Sequence, residues 1–245
     1  MDYDLAAERG ESISFLLAAG GPPACLEPVM INNRGDSPMA IDWDAVSDAL
    51  RLGKTPECAA KALDLLVSFE PNCESNRDRA AICNGKAMCY AHMGKFQAAL
   101  AQIQVAKEFA VAERDLMLQI DLAEAAARVL RTEYETACDL YERIRATYSD
   151  LLADDAETAH EFDERYGYAL VHVERYEDAV LTFQRLLQSN PIEDEQLVRL
   201  YLGTAFAASG RWREAQIELE LAAKGPDPTL AKDALARLST FSRTQ

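Results

Sequence analysis

The sequence contains few of the residues that interrupt helices, with only 11 glycines and 9 prolines among 245 residues. This scarcity favours helix over sheet, because alanine, leucine and glutamate, which form helices readily, are common throughout the chain. Basic residues are also few, since 25 Lys and Arg stand against 41 Asp and Glu and give a net charge of −16. A surface of that sign repels phosphate, so nucleic acid and anionic membranes are poor candidate ligands.

The sequence has no apolar run of the length, about 20 residues, that a helix needs to cross a bilayer. The apolar run near the start covers only residues 13–19, and the stretch before it, MDYDLAAERGE, is acidic where a secretory signal needs positive charge. We therefore expect neither membrane insertion nor a signal peptide, although Cys25 follows the run. The six cysteines form no C-x-x-C pair. In a chain this long we interpret them as free thiols in a reducing compartment, which predicts a cytoplasmic protein.

The sequence also lacks the common catalytic motifs. It has no phosphate-binding G-x-x-x-x-G-K-[ST] loop and no G-x-S-x-G nucleophile turn. The chain has three histidines, His92, His160 and His172. The segment that begins at His160 resembles a zinc-binding H-E-x-x-H, but Glu164 stands at the second ligand position, and we interpret it as a charged helix start. The prediction is a protein that is not an enzyme, with no cofactor, no metal and no catalytic residues.

Residues 1–38 are predicted to form an N-terminal extension. Residues 3–19 have the pattern of an amphipathic helix that Gly20 and Gly21 end. Prolines and turn-forming residues then predict a loop to about Ser37. The loop holds an Arg-Gly-Asp triplet at 34–36, which we interpret as a chance match in a chain without a secretion signal.

Residues 39–226 are predicted to form an array of paired helices, because apolar residues recur there three and four positions apart. One helix is expected to start at Pro56 and to stop before Pro71, since proline is favoured at the first helical position and disfavoured later. Further pairs are expected at about 79–106, 116–144, 160–191 and 200–222. A C-terminal capping helix is predicted over residues 227–245, beginning at the Asp227-Pro228 start signal.

Residue size recurs at fixed offsets in these pairs, most clearly in residues 160–191. That stretch has Gly167, then Ala179 and Phe183, and finally Pro191. The matching small residues elsewhere are Ala87, Ala125 and Gly203 at the first offset, and Ala59, Ala99, Ala137 and Ala215 at the second. The pattern resembles the tetratricopeptide repeat (TPR), a 34-residue helix–turn–helix unit. In that family these are the eighth and twentieth positions, where the two helices cross.

The bulky positions of the family are also filled. Position 17 holds Phe96, Tyr134, Tyr176 and Trp212, and position 24 holds Leu63, Ile103, Tyr141, Phe183 and Leu219. The resemblance implies that these residues wedge into the next unit. The spacing is irregular, since Phe96 and Tyr134 are 38 residues apart and Tyr134 and Tyr176 are 42 apart. The extra residues fall between units, above all at 149–158.

The resemblance implies an all-α fold, a right-handed α-solenoid of about five TPR-like helix-turn-helix repeats with flanking N- and C-terminal helices. It also implies a non-enzymatic adaptor or scaffold that binds a peptide or helix of a partner in its concave groove. Carried over by register, the groove residues are Asn84, Met88, His92, Gln119, Glu161, Glu164, Arg165, Tyr168, His172 and Thr204. Few of them are basic, so a clamp for the acidic tails of chaperones is not expected.

Several alternatives stay open at this stage. The chain could be a chaperone for a secreted or assembly partner, a structural subunit of a larger complex, a homo-oligomer, or an enzyme with its site on the N-terminal or inserted segments. Residues 149–164 carry seven acidic residues and neither Lys nor Arg. That stretch is either a solvated loop and helix start or a patch that attracts a partner with a basic surface.

Overall fold

The structure is a computed structural model that describes residues 56–188 and 195–241. The predicted N-terminal extension, with its Arg-Gly-Asp triplet, and Pro191 lie outside these ranges. Within them the fold is all-α, as predicted, with eleven α-helices and no strand. The helices are α1 (Pro56–Phe69), α2 (Asn76–His92), α3 (Phe96–Phe109), α4 (Arg114–Leu130), α5 (Tyr134–Thr147), α6 (Ser149–Asp154), α7 (Ala156–His172), α8 (Tyr176–Gln188), α9 (Glu195–Ala208), α10 (Trp212–Ala222) and α11 (Pro228–Phe241).

Side-chain caps set where α2 and α11 begin. The Ser75 hydroxyl accepts a hydrogen bond from the Asp78 amide, and the Asp78 carboxylate accepts one from the Ser75 amide. This capping box starts α2 three residues before the predicted position near Arg79, because it satisfies amides that the first turn leaves free. Asp227 caps α11 in the predicted place, since its carboxylate accepts from the amides of Thr229 and Leu230.

The turns inside four helix pairs share one backbone feature. Each has a residue with positive φ at the same register position, namely Gly94, Thr132, Glu174 and Gly210. Glycine adopts this left-handed conformation without strain, whereas Thr132 and Glu174 adopt it at a cost of about 1–2 kcal/mol. The four turns therefore share one backbone conformation, although only two of them carry the glycine that would indicate such a turn in the sequence.

The chain divides into two compact units between Thr132 and Glu133. In the unit that ends at Thr132, α2 packs against α1, α3 and α4. Its core is built largely of small side chains, including buried Ala87, Ala99 and Ala106. In the unit that begins at Glu133, α7 packs against α5 and α8, α9 packs against α8 and α10, and α11 packs against α10 and α9.

Glycines allow the closest helix contacts in the second unit. A Cβ atom on Gly167 would lie 2.6 Å from Cε1 of Phe183, and one on Gly203 would lie 2.7 Å from Cγ of Leu219. Both distances are too short for carbon atoms in contact, so an alanine at either position would force the facing side chain or its helix to shift. In these two pairs the small residue at repeat position 8 therefore contacts the bulky residue at position 24 of the same pair. Position 8 is also where the resemblance implied that the two helices cross.

The insertion before α7 is helical. Residues Ser149–Asp154 form the short helix α6, and Asp155 then caps α7 by accepting from the Glu157 and Thr158 amides. Of the solvated loop and helix start predicted here, the helix start is present, but a short helix takes the place of most of the loop. The placement of the helix start at His160 was wrong, because α7 begins at Ala156 and His160 lies in its second turn.

Candidate partner-binding faces

Five of the predicted groove residues lie along one face of α7. At about 100° per residue, Glu161, Glu164, Arg165, Tyr168 and His172 span an arc of about 100°. All except Tyr168 are partly exposed. This face of α7 therefore has a charged end, formed by Glu161, Glu164 and Arg165, and an aromatic end, formed by Tyr168 and His172.

The aromatic end is held in place by neighbouring helices. The ring of His172 stacks on Tyr134 of α5 with centroids 4.3 Å apart, and it contacts the Tyr168 ring at 4.4 Å. Tyr168 in turn meets Tyr201 of α9 edge-to-face at 5.0 Å and is only 2% exposed. Burial raises the pKa of the Tyr168 phenol above its usual range. Tyr168 therefore fixes the position of the surface, whereas Tyr134 and His172 form it.

The charged end holds one ion pair on the helix itself. The Arg165 guanidinium lies 2.5 Å from a carboxylate oxygen of Glu161, one helical turn away. Exposed pairs with this spacing stabilise a helix by about 0.3–0.5 kcal/mol, and here the side chains of Arg165 and Glu161 are 30% and 44% exposed. With Glu164 added, the local charge of the three side chains is negative.

Tyr141 of α5 was not among the predicted groove residues, and it packs against two aromatic side chains of α7. Its side chain is fully buried and packs edge-to-face on Phe162 at 5.4 Å and against Tyr166 at 5.6 Å. Its hydroxyl makes no hydrogen bond to the described residues. The sequence already distinguishes Tyr141 from its counterparts, because it is the one residue at this offset with a polar atom in its side chain. The residues at the same offset in the other pairs are Leu63, Ile103, Phe183 and Leu219.

The opposite side of α7 carries a structural ion cluster. Asp163 is 9% exposed and accepts hydrogen bonds from Arg145 of α5 at 3.2 Å and from Arg185 of α8 at 2.9 Å. The Arg145 guanidinium also lies over the rings of Phe162 and Tyr166. This cluster ties α7 to the helices on both sides and so fixes how the binding face is presented.

A similar ion cluster occurs in the unit that ends at Thr132. Asp121 of α4 stands at the register position of Asp163, and Lys107 of α3 lies 2.6 Å from its carboxylate. The same ammonium contacts Glu124 at 2.7 Å. A buried acid near the middle of one helix and a base near the end of the preceding helix thus join successive pairs in both units.

The first unit presents its own candidate face. Asn84, Met88 and His92 of α2 are spaced four apart, so they form one stripe, and each is partly buried. Gln119 of α4 is exposed, and α4 packs against α2. The side-chain oxygen of Asn84 is buried without a partner among the described residues.

Thr204 occupies a different environment from the other predicted groove residues. It is 9% exposed, and its hydroxyl donates to the Leu200 carbonyl at 2.7 Å. The hydroxyl also accepts from the Arg237 guanidinium of α11 at 2.6 Å. The C-terminal helix therefore covers this position in the last pair, and the Thr204 hydroxyl is already engaged.

Two other kinds of site are absent from the described residues. They contain no group of three or more His, Cys, Asp or Glu side chains arranged to hold a metal ion. None of their helices is long and apolar enough to cross a membrane.

Comparison with known proteins identifies structural relatives only. No family model and no curated protein matches the sequence. Two crystal structures of a kinesin light chain-like protein of Podosopora anserina, with nearly identical TPR-like repeats, resemble this chain, and one of them is a variant with a single substitution. Each is 18% identical and covers 73% of this chain and 90% of its own, and the TM-scores are 0.55 for the variant and 0.53 for the other. The chain has the fold of a TPR-like helical repeat protein.

Proposed function

We propose that the protein is a non-enzymatic adaptor or scaffold that binds a peptide or helix of a partner protein in the concave groove of its repeats. The TPR-like fold supports a protein-interaction role in general. The observation that carries the specific proposal is the α7 face, where partly exposed polar and aromatic side chains stand on a rigid, buried support.

Pre-organisation is the physical reason why this face suits binding. A surface whose side chains are already ordered loses less conformational entropy when a partner docks. His172 is held by its stack on Tyr134, and Tyr168 is held between His172 and Tyr201. A partner would therefore meet aromatic rings that need not rearrange.

Charge supports a partner with a basic surface. The chain carries a net charge of −16, which favours approach of positively charged partners and disfavours nucleic acid. Of the acidic residues in 149–164, Asp155 caps α7 and Asp163 is buried between two arginines. Exposed Asp154 and Glu157 are therefore the better candidates for steering. We place the protein in the cytoplasm, where buried thiols such as those of Cys89 and Cys138 stay reduced.

The test is affinity capture from an extract of the cells that make the protein. His172→Ala removes an exposed part of the α7 face, and Gln216→Ala removes an exposed side chain of α10 as the matched control. Partners captured by the natural protein and by Gln216→Ala, but lost with His172→Ala, support the proposal. Capture that is unchanged by His172→Ala, with circular dichroism showing both variants folded, contradicts it.

A structural subunit of a larger complex is a second candidate, favoured by exposed apolar side chains in the second unit. Leu181 of α8 and Ile217 of α10 stand at the same register position and are 61% and 57% exposed. Leu221 lies one turn beyond Ile217 and is also exposed. Light scattering on the purified protein tests this candidate, since a concentration-dependent mass that Ile217→Asp abolishes would support it.

A further inference from the structure

One exposed stripe of the second unit combines apolar and basic side chains. Arg213, Ile217 and Leu221 follow one another at intervals of four residues along α10, so they lie on one side of the helix. Lys224 comes three residues later, just beyond the helix end, and Ala223 before it keeps helical dihedral angles. Ile217 is 57% exposed and Leu221 is 40% exposed. We call Arg213, Ile217, Leu221 and Lys224 the α10 face.

The two basic residues of the α10 face are available to an acidic ligand. Both are exposed, and neither Arg213 nor Lys224 makes an ion pair with the described residues. Arg211, two residues before Arg213, is by contrast paired with Glu214. The α10 face therefore has an apolar centre with an unneutralised positive charge at each end, in a chain whose net charge is −16.

Residues 3–19 have the complementary pattern in the sequence. At about 100° per residue, the larger aliphatic side chains of this predicted helix fall within an arc of about 120°, namely Leu5, Ile13, Leu16 and Leu17. Its acidic side chains fall within an arc of about 60° beside them, namely Asp4, Glu8 and Glu11. The segment contains one base, Arg9, so its net charge is opposite to that of the α10 face.

The length of the intervening chain allows the two to meet. Residues 20–55, 36 in number, connect the segment to α1, which begins at Pro56. Fully extended, they span about 120 Å, so the segment can reach either unit. Because both surfaces belong to one chain, docking is intramolecular and takes place at a high effective concentration. A contact too small to hold a free partner can therefore hold this segment.

We infer that residues 3–19 dock on the α10 face of the same chain. The aliphatic side chains of the segment cover Ile217 and Leu221, and its acids lie beside Arg213 and Lys224. A partner that binds the α10 face must then displace the segment. The inference goes beyond the adaptor proposal and is independent of it, because the α7 face is formed by other helices.

Hydrogen exchange of the full chain, followed by mass spectrometry, tests the docking. We expect the amides of residues 3–19 to exchange more slowly than those of an unstructured peptide of the same sequence. Ile217→Asp should speed their exchange at least tenfold, because it removes an apolar contact and places a carboxylate beside the acids of the segment. Val111→Asp is the matched control, since Val111 is an 80% exposed apolar residue of the other unit, and it should leave the exchange unchanged.

A charge reversal tests the ionic part of the contact separately. Arg213→Glu combined with Lys224→Glu should speed exchange of residues 3–19 about fivefold or more, since it replaces attraction by repulsion at two exposed positions. Adding Glu8→Lys and Glu11→Lys to the same chain restores opposite charges, so exchange should become slow again. Circular dichroism of each variant shows that the helices remain folded.

Four results would overturn the inference. The first is exchange of residues 3–19 in the natural protein at the rate of the unstructured peptide. The second is slow exchange that Ile217→Asp leaves unchanged, which would place the segment elsewhere. The third is protection that increases with protein concentration, which would identify a second copy as the binding surface. The fourth is a mass in light scattering that Ile217→Asp lowers, which would show that the α10 face is open to another subunit.

Discussion

Gly167 lies so close to the Phe183 ring that a Cβ atom at residue 167 would be 2.6 Å from Cε1. The glycine is in α7 and the phenylalanine is in α8, so this contact sets how closely the two helices of the pair approach. Phe183 also lies parallel to Tyr201 of α9, with ring centroids 6.3 Å apart. One ring thus joins its own pair to the next, and it does so only because residue 167 has no side chain.

Substitution of Gly167 by alanine should destabilise the second unit. The clash resembles overpacking of a core, which costs about 1–3 kcal/mol, while the better helix propensity of alanine returns up to about 1 kcal/mol. We expect a net loss of about 1–2 kcal/mol in the free energy of unfolding, measured by urea denaturation. In the Gly167→Ala, Phe183→Leu double variant, the smaller side chain should accommodate the methyl group, so the loss should be smaller than the sum of the two single losses. Strict additivity, or a more stable Gly167→Ala, would show that the contact is not close.

Asp155 should make α7 sensitive to acid. Its carboxylate accepts hydrogen bonds from the Thr158 hydroxyl at 2.7 Å and from the Glu157 and Thr158 amides, and these bonds lower its pKa below 3.8. A carboxyl whose pKa is lowered by folding stabilises the fold above its unfolded pKa and loses that contribution as the pH falls through the folded value.

The check is urea denaturation of Asp155→Ala and Asp155→Asn between pH 7 and pH 2.5. Asp155→Ala should lose about 1 kcal/mol at pH 7, the usual effect of removing an N-cap. Asp155→Asn keeps a capping oxygen without a charge, so its difference from the natural protein should shrink as the pH drops below 3.8. A difference that is constant across this range would contradict the assignment of the effect to the Asp155 charge.

The Asp163 cluster should matter more to stability than an exposed ion pair of the same unit. Asp163 is buried between Arg145 and Arg185, so Asp163→Asn would leave two guanidinium groups facing each other without a countercharge. We expect a loss of about 2–3 kcal/mol, at or below the lower limit of the range for broken buried pairs, because Arg185 is exposed and Arg145 is partly exposed. Glu142→Gln, which breaks an exposed pair with Arg175, is the comparison and should cost at most about 1 kcal/mol. Equal losses in the two variants would mean that burial of Asp163 adds nothing.

Buried thiols should react slowly while the protein is folded. Burial raises the pKa of Cys89 and of Cys138 to about 11, and it raises that of Cys83 as well. At pH 8 very little thiolate is present at these three residues, and thiolate is the reactive form. With Ellman's reagent we expect partly exposed Cys58 to react in the native protein and these three only after denaturant is added. Rapid modification of Cys138 in the native protein, located by mass spectrometry, would contradict the described core.

Much of the fold could be predicted from the sequence because small and bulky residues recur at the same positions in successive helix pairs. The helices could be located without knowledge of their contacts. The signals were the small residues Gly167 and Gly203 and the helix starts at Pro56 and Asp227. Helix α6 was missed because acidic residues at 150, 154 and 155 suggest solvent, whereas an acid at the start of a helix also stabilises it. The positive φ of Thr132 and Glu174 could not be predicted, since neither residue type favours that conformation.

The candidate site was less accessible to sequence reasoning. Register placed Tyr168 and His172 on the same helix face, but it gave no indication that Tyr168 is buried beneath His172 and Tyr201. That distinction depends on side chains from α5 and α9, which lie more than 25 residues away in the chain. The engagement of Thr204 by Arg237 is likewise a contact between distant residues that no spacing reveals.

The measurement that tests the adaptor proposal most directly is site-specific photo-crosslinking. A benzophenone amino acid is placed at residue 164, which is partly exposed on the α7 face, and, in a separate variant, at exposed residue 216 on α10, so that His172 is kept in both. After irradiation in the cell extract, the proposal predicts that the partner recovered by affinity capture is crosslinked from residue 164 and not from residue 216. Crosslinking of that partner from residue 216 alone would contradict it.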